Sequence, residues 1–371
     1  MKIGIEAERA NLPNPTGVER YAAELIRNLA KLDSSNEYVL YFRTPPQEWF
    51  SQLPKNFSVK VIPFPKFWTQ IRISWEMITH PVDLLFIPAS ALPLWHPKKS
   101  VVTVHDIAYE LFDGIYTGFM NYYQKFTSRF AVKHATKILT VSTATRNDLV
   151  RIYKTSSNKI TIIPLGLSEG FRPMSYEEVQ PVLDKYGLVY QKYILFLGTI
   201  QPRKNIPRLV TAYEKIKNEN HIEEKLIIAG GRGWLWEPIL KKVKTAGIDG
   251  SVKYLDYIAK EDLAYLLAGA KLYTLPSIYE GFGIPALEAM ASGVPTVVSD
   301  VSSLPEVVGE AGVLVDPNSV DSIADGLLRV LTDSNLRQQM IVKGLEQAKK
   351  FTWENTAKKT LEVFESLRDR E

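Results

Sequence analysis

Short runs rich in Val, Ile, Leu and Tyr alternate with stretches of helical period along almost the whole chain. That alternation is the pattern of βαβ units wound into parallel sheets. In the first half the strand candidates are KIGIEA, EYVLYFR, VKVIPF, VDLLFIP, SVVTVHD, KILTVS and ITIIPLG; in the second half they are YILFLGT, EKLIIAGG, VKYLDY, LYTLPS, PTVVSD and GVLVDP. Two α/β sheets in series are therefore expected. Between them, Ser168 to Val179 loses the strand period and carries Gly, Pro and charges, which reads as a linker. A last helical pattern follows a break near Phe351 to Trp353. The first helix is delimited locally: Thr16 and Glu19 have the spacing of a capping box, and Val18, Tyr21, Ala22, Leu25, Leu29 and Leu32 fall on one face. Gly17 then sits at the helix mouth, where free amides and the helix dipole favour an anion.

A chain of 371 residues exceeds what one core usually organises, and 45% hydrophobic with 23% charged residues gives no sign of disorder. The absence of cysteine excludes disulfides, thiolate nucleophiles and cysteine-ligated metals. The opening MKIGIEAERA reads as a strand, not a signal peptide, and no run approaches the roughly 18 apolar residues of a membrane span, so a cytoplasmic protein is expected. Charge is uneven: residues 1–173 carry 21 Lys+Arg against 14 Asp+Glu, and residues 174–371 carry 24 against 27. The first half is thus suited to an anionic partner, or simply has a solvated basic surface.

The most informative stretch is SIYEGFGIPALEAMASGVPTVVSD, Ser277 to Asp300. Glu280 lies in a strand-to-helix loop, where open α/β sheets bind ligands, and Pro285 marks the first helical turn. Gly281 and Gly283 allow the backbone close to a phosphate at the helix start. Glu288, about one turn inside, leans back toward that end and can accept the hydroxyls of a ribose. In FLGTIQPRKNIPRLV, Gly198 closes a strand and the adjacent Arg203 and Lys204 can clamp a diphosphate or remain ordinary surface cations. Gly281, Gly283 and Ala286 with Asp300 also match a dinucleotide fingerprint, which would make an oxidoreductase, but the match comes late in its domain, whereas that fingerprint opens one.

His105 and Asp106 finish a strand of the first half; the imidazole can bond a substrate hydroxyl, with Asp106 holding its tautomer, or be a structural histidine. No D-x-D pair occurs, which disfavours a metal-bound diphosphate. In FPKFWTQIRISWEM, Phe67, Trp68, Ile71 and Trp75 recur at helical spacing beside Lys66 and Arg72. Such a stripe suits either the interface of an anionic membrane or packing against the first sheet.

Taken together, EGFGIPALEAMASGVPTVVSD, GTIQPRKN, TVHDIAY and TGVERYAAEL resemble the retaining nucleotide-sugar glycosyltransferases of the GT-B fold, in the E-x7-E group that includes bacterial mannosyltransferases. The resemblance spans essentially the whole chain. It implies two Rossmann-like α/β/α domains facing a central cleft: residues 1–170 on the acceptor side, completed by a crossover helix at 352–371, and residues 174–351 on the nucleotide-sugar side. It implies that Arg203 and Lys204 bind the donor diphosphate, Glu288 the ribose and Glu280 the transferred sugar, with the amides of Phe282, Gly283 and Ile284 completing the cradle. His105 would line the sugar site, and Tyr257 and Ile258 would border the base. No cofactor or metal is implied beyond the donor, a nucleotide-diphosphate sugar with GDP-mannose ahead of UDP-sugars. The acceptor would be a glycan or lipid-linked sugar, with peripheral contact to an anionic membrane at its inner face and no nucleic acid. A GT-B protein that binds sugar nucleotides without turnover is the alternative. Relatives commonly carry a second glycine where this chain has Glu19, which favours the capping role there.

Overall fold

The computed structural model describes residues 1–12, 17–112, 114, 118–246 and 250–368. The chain forms two compact units, Met1–Gly166 with Thr352–Glu371, and Leu167–Phe351.

In the first unit seven parallel strands lie in the order β3 (Phe57–Val61), β2 (Glu37–Phe42), β1 (Lys2–Glu6), β4 (Leu84–Ile87), β5 (Lys99–Val104), β6 (Lys137–Thr140), β7 (Ile160–Ile162). In the second unit six parallel strands follow the same winding: β10 (Val252–Leu255), β9 (Lys225–Ala229), β8 (Tyr193–Leu197), β11 (Leu272–Leu275), β12 (Thr296–Ser299), β13 (Gly312–Val315). Each of the thirteen apolar runs thus overlaps a strand, with β3 beginning two residues and β5 one residue before its run. Central strands such as Leu84–Ile87 and Tyr193–Leu197 are buried at every residue, because helices cover both faces of a parallel sheet and leave no polar side to alternate with.

Each sheet reverses its winding direction once, between β1 and β4 and between β8 and β11. There the connecting helices diverge to opposite faces and open a crevice beyond the strand ends. The registers Leu272↔Ile194 and Tyr273↔Leu195 bring the loops after β8 and β11 side by side.

The helix Gly17–Leu32 buries Tyr21, Ala22, Leu25, Ile26 and Leu29, while Leu32 is exposed. Thr16, proposed as its cap, lies outside the described residues. The expected linker is only partly irregular. Ser175 caps a helix, Tyr176–Tyr186, through a capping box with Glu178, and this pair at its three-residue spacing outweighs the Gly and Pro that precede it.

The final helix, Trp353–Ser366, belongs to the first unit. Phe364 is fully buried with its ring 5.2 Å from Phe86, and Thr356 donates to the Pro164 carbonyl at 2.8 Å. A Cβ at Gly166 would stand 2.2 Å from the Trp353 backbone nitrogen, so only glycine fits where the chain leaves and re-enters this unit. Within the second unit the Leu167 amide donates to the Phe351 carbonyl at 3.0 Å, joining its two ends.

Candidate active site

In the second unit the site is assembled at the switch point. After β8 come Gly198 and a single 3-10 turn, Pro202–Lys204, closed by Asn205 in the left-handed conformation (φ 61°). The Asn205 side chain donates to the Pro276 and Pro317 carbonyls at 3.0 and 2.6 Å, and the Ile278 amide donates to the Arg203 carbonyl at 2.8 Å. These bonds tie the loop after β8 to the loops after β11 and β13. Across the join, Arg203 donates to Glu280 Oε2 at 2.9 Å and to the Tyr279 carbonyl at 2.8 Å, and Lys204 donates to Glu280 Oε1 at 2.5 Å.

Glu280 and Lys204 are both buried, with side chains 7% exposed, and Arg203 is 17% exposed. Burial alone would raise the Glu280 carboxyl, but the Lys204 and Arg203 charges outweigh it and draw it down to about 2. Glu280 is therefore a carboxylate at every physiological pH. Its backbone is also held: the Ser302 and Ser303 hydroxyls donate to the Glu280 carbonyl at 2.5 and 3.0 Å, and Ser303 donates to the Phe282 carbonyl at 2.8 Å.

Gly283 has φ 104° and precedes the helix Ile284–Ala291; a Cβ there would strike Leu304 Cδ2 at 2.6 Å. Glycine is required twice over, by conformation and by space. The first turn of a helix lacks intrahelical acceptors for its amides, which makes the start of this helix, at Gly283 and Ile284, suited to an anion. Six of the eight helix residues are buried, and among Ala, Leu and Met the one charged member is Glu288, 4% exposed. The two carboxylates share surroundings: Tyr273 on β11 is held well above its usual range by burial and by Glu280 and Glu288.

The structure thus brings together Gly198, Arg203, Lys204, Glu280, Gly281, Phe282, Gly283, Ile284 and Glu288. Tyr257 and Ile258 follow β10, at the sheet's edge. Tyr257 is exposed, whereas Ile258 is 4% exposed and its side chain is core, so only its backbone is left to border a ligand. The dinucleotide-like glycines follow β11, the fourth strand of this sheet in chain order, and not β8, which opens it. Ser302, Ser303 and Asn205 were not singled out from sequence. Nor was Gly230, with φ 139°, where a Cβ would lie 2.1 Å from the Gly198 carbonyl oxygen.

In the first unit His105 follows β5 and is partly buried, its ring edge-on to Tyr21 at 4.7 Å. His105 Nε2 lies 3.1 Å from the Pro88 carbonyl, which only accepts, so Nε2 carries the hydrogen and Nδ1 is an acceptor. Burial lowers its pKa to about 4, leaving it neutral at pH 7. Asp106 does not orient the imidazole as expected; its Oδ1 accepts from the Ala108 amide at 3.0 Å and starts a short helix, because a carboxylate two residues before a free amide closes that local bond first. Gly17 is the first residue of its helix. Arg9 lies 3.7 Å from Glu6 and 4.0 Å from Glu19, so Glu19 faces a cation. Glu6, at the end of β1, is buried, and burial raises its pKa. It too was passed over in the sequence, where a lone acid ending an apolar strand is the available signal.

Two family models match: Glycosyltransferase Family 4 over residues 15–169 and Glycosyl transferases group 1 over residues 184–347. O-antigen chain mannosyltransferase B of Escherichia coli is 34% identical over 99% of this chain and 100% of its own length. Among solved structures, a sucrose-phosphate synthase from Thermosynechococcus elongatus aligns with a TM-score of 0.76 at 18% identity, over 99% of each chain. Anabaena HepE in complex with UDP and glucose aligns with a TM-score of 0.75 at 17% identity, over 99% of this chain and 100% of that one.

Proposed function

The chain belongs to the group 1 glycosyltransferases of the GT-B fold, a hexosyltransferase family, and from that premise we propose that it transfers mannose from GDP-mannose, with retention of anomeric configuration, to a glycan or lipid-linked sugar during cell-surface polysaccharide synthesis. The observation that carries this reading is the convergence of Arg203 and Lys204 on Glu280 in a buried turn at the switch point.

Arg203 and Lys204 take the donor diphosphate, and Glu288 accepts the ribose hydroxyls. The bond from the anomeric carbon to the diphosphate breaks, the acceptor oxygen bonds the same face, and the acceptor proton passes to the departing phosphate oxygen. Charge develops on the leaving group beside the helix start, where Arg203 and Lys204 meet it in exchange for Glu280, and one such donor is worth about a hundredfold in rate. Glu280, ionised at working pH, stands beside the cationic sugar of the transition state. In the first unit, neutral His105 offers an acceptor at Nδ1 for a hydroxyl. No step in this scheme uses a metal, so EDTA should leave transfer unchanged.

The mannosyltransferase relative supports the sugar, and the UDP carried by the Anabaena neighbour supports a nucleotide donor in this fold. We place the protein in the cytoplasm, in peripheral contact with an anionic membrane; among the described residues no helix is long and apolar enough to cross one. The test is a thermal-shift panel of GDP-mannose, UDP-glucose and UDP-N-acetylglucosamine, followed by NMR of the product's anomeric configuration. Stabilisation by GDP-mannose and a retained linkage are expected; preference for a UDP-sugar overturns the donor, and an inverted product overturns the mechanism.

A further inference from the structure

The aromatic segment of the first unit does not form the single stripe its spacing implied. Trp68 turns inward, 6% exposed, with its indole donating to the Ile62 carbonyl at 2.6 Å. A wider π-type turn, Thr69–Ile73, then leads into the helix Ser74–Thr79; Ile73 and Met77 stay in the core and the other apolar side chains are left outward. Ile71, Trp75 and Ile78 are 49%, 61% and 51% exposed. They face Leu94 and Trp95, 53% and 61% exposed, across a groove of about 550 Å³ whose floor includes Phe64.

The apolar surface continues onto the helix Gly118–His134. Phe67 places its ring 6.3 Å from Phe119 and 5.3 Å from Tyr123, and Phe119, Met120, Tyr122 and Phe126 are all exposed. Isolated exposed apolar residues are ordinary, but a contiguous patch of this extent marks an interaction surface.

Its charge identifies the partner. Residues 64–80, 94–99 and 118–134 carry seven Lys or Arg against one acid, Glu76. Lys125 and Arg129 pair with Glu110 of the preceding short helix, which leaves Lys66, Lys98, Lys99 and Lys133 to set the sign of this face. Glu76 is buried and held by Lys60 and by Arg72 at 3.0 Å, so it offers nothing to the surface. Lys66, Lys98 and Lys133 are exposed. A second copy of this chain would set cations against cations. An anionic leaflet instead presents negative headgroups to the lysines and hydrocarbon to the groove, while indoles settle at the boundary between them.

We propose that this face, the groove between Ile71, Trp75, Ile78, Leu94 and Trp95 together with the exposed aromatics of Gly118–His134, is the membrane-docking surface. The assignment rests on the membrane contact proposed above and gives it a location: the groove takes lipid chains between two tryptophans, and the lysines take headgroups.

The test is partition into vesicles of phosphatidylglycerol and phosphatidylethanolamine, at low and high salt, by wild type, Trp75→Ser/Trp95→Ser and Lys66→Glu/Lys98→Glu. All four side chains are exposed and none belongs to the active site, and equal thermal unfolding verifies that the variants fold. The tryptophan pair is expected to lose at least about tenfold in partition at both salts. The lysine reversal changes the charge by four units and should lose several hundredfold, on the order of 600-fold, at low salt, as each unit contributes about fivefold. Wild-type binding that both variants retain overturns this surface and leaves membrane contact standing. No wild-type binding overturns both. Loss of a dimer in the tryptophan variant, seen by sedimentation velocity, with vesicle binding unchanged, also overturns the proposal, in favour of a second copy. Transfer to a water-soluble acceptor, which all three proteins should catalyse equally, reads the proposed chemistry separately.

Discussion

Replacing Glu280 by glutamine keeps the shape of the side chain and removes the charge that two buried cations share. Lys204 and Arg203 donate to its two oxygens at 2.5 and 2.9 Å, with side chains 7% and 17% exposed. Holding the carboxyl at about 2 instead of 4.5 corresponds to about 3 kcal/mol of preference for the ionised form. Removing one partner of a buried pair costs about 3–5 kcal/mol, because the remaining charges stay desolvated. The two figures agree. At pH 7 Glu280→Gln should destabilise the second unit by about 3 kcal/mol, or about 6–12 °C in Tm for a unit of this size.

The sign with pH follows from the lowered pKa. The carboxylate's contribution is complete above about 4.5 and is lost as pH falls toward 2, so the gap between wild type and variant should close over that window. The variant also frees both cations for a diphosphate. GDP should therefore raise its Tm by more than it raises that of wild type, while turnover falls. Calorimetry across pH 2.5–7.5, with and without GDP, reads all three effects. A Tm within 2 °C of wild type at pH 7, or an equal GDP shift in both proteins, would refute the view that Glu280 and the donor diphosphate compete for the same two cations.

Glu288→Ala should weaken donor binding by about 1–3 kcal/mol, since buried hydroxyls lose their acceptor, with kcat less affected; calorimetric titration against kinetics separates the two. Arg203→Ala and Lys204→Ala should each lower kcat by about a hundredfold or more, and a double variant with full activity would rule out the clamp. His105 is partly buried and neutral, with its pKa lowered to about 4, so the unfolded chain binds the extra proton first; stability should fall as pH drops from about 6.5 toward 4, and His105→Gln should reduce that dependence in denaturant titrations. Gly283→Ala should lower Tm by several degrees, because a Cβ meets Leu304 at 2.6 Å from a backbone with φ 104°.

The elements of this fold were legible because burial on both faces of a parallel sheet writes each central strand as an apolar run, and none of the thirteen runs, the shorter and more polar edge strands included, required knowledge of its neighbours. The spacing of Glu280, Gly283, Pro285 and Glu288 was equally local, since one strand end and one helix start fix it. What the carboxylates face is different. Glu280 meets Arg203 and Lys204 across 77 and 76 residues of chain, and only the adjacency of β8 and β11 brings them together. The same holds for the Pro88 carbonyl that sets the His105 tautomer and for Ser302 and Ser303 beneath Glu280. Trp68, Ile71 and Trp75 look alike in a helical pattern, yet one is core and two are surface; Tyr257 and Ile258 part in the same way. Apolar periodicity reports that a side chain prefers to leave water. Which neighbour provides the shelter, and which apolar side chain is left without one, depends on contacts between segments far apart in the chain, and those exist only once the sheets are wound.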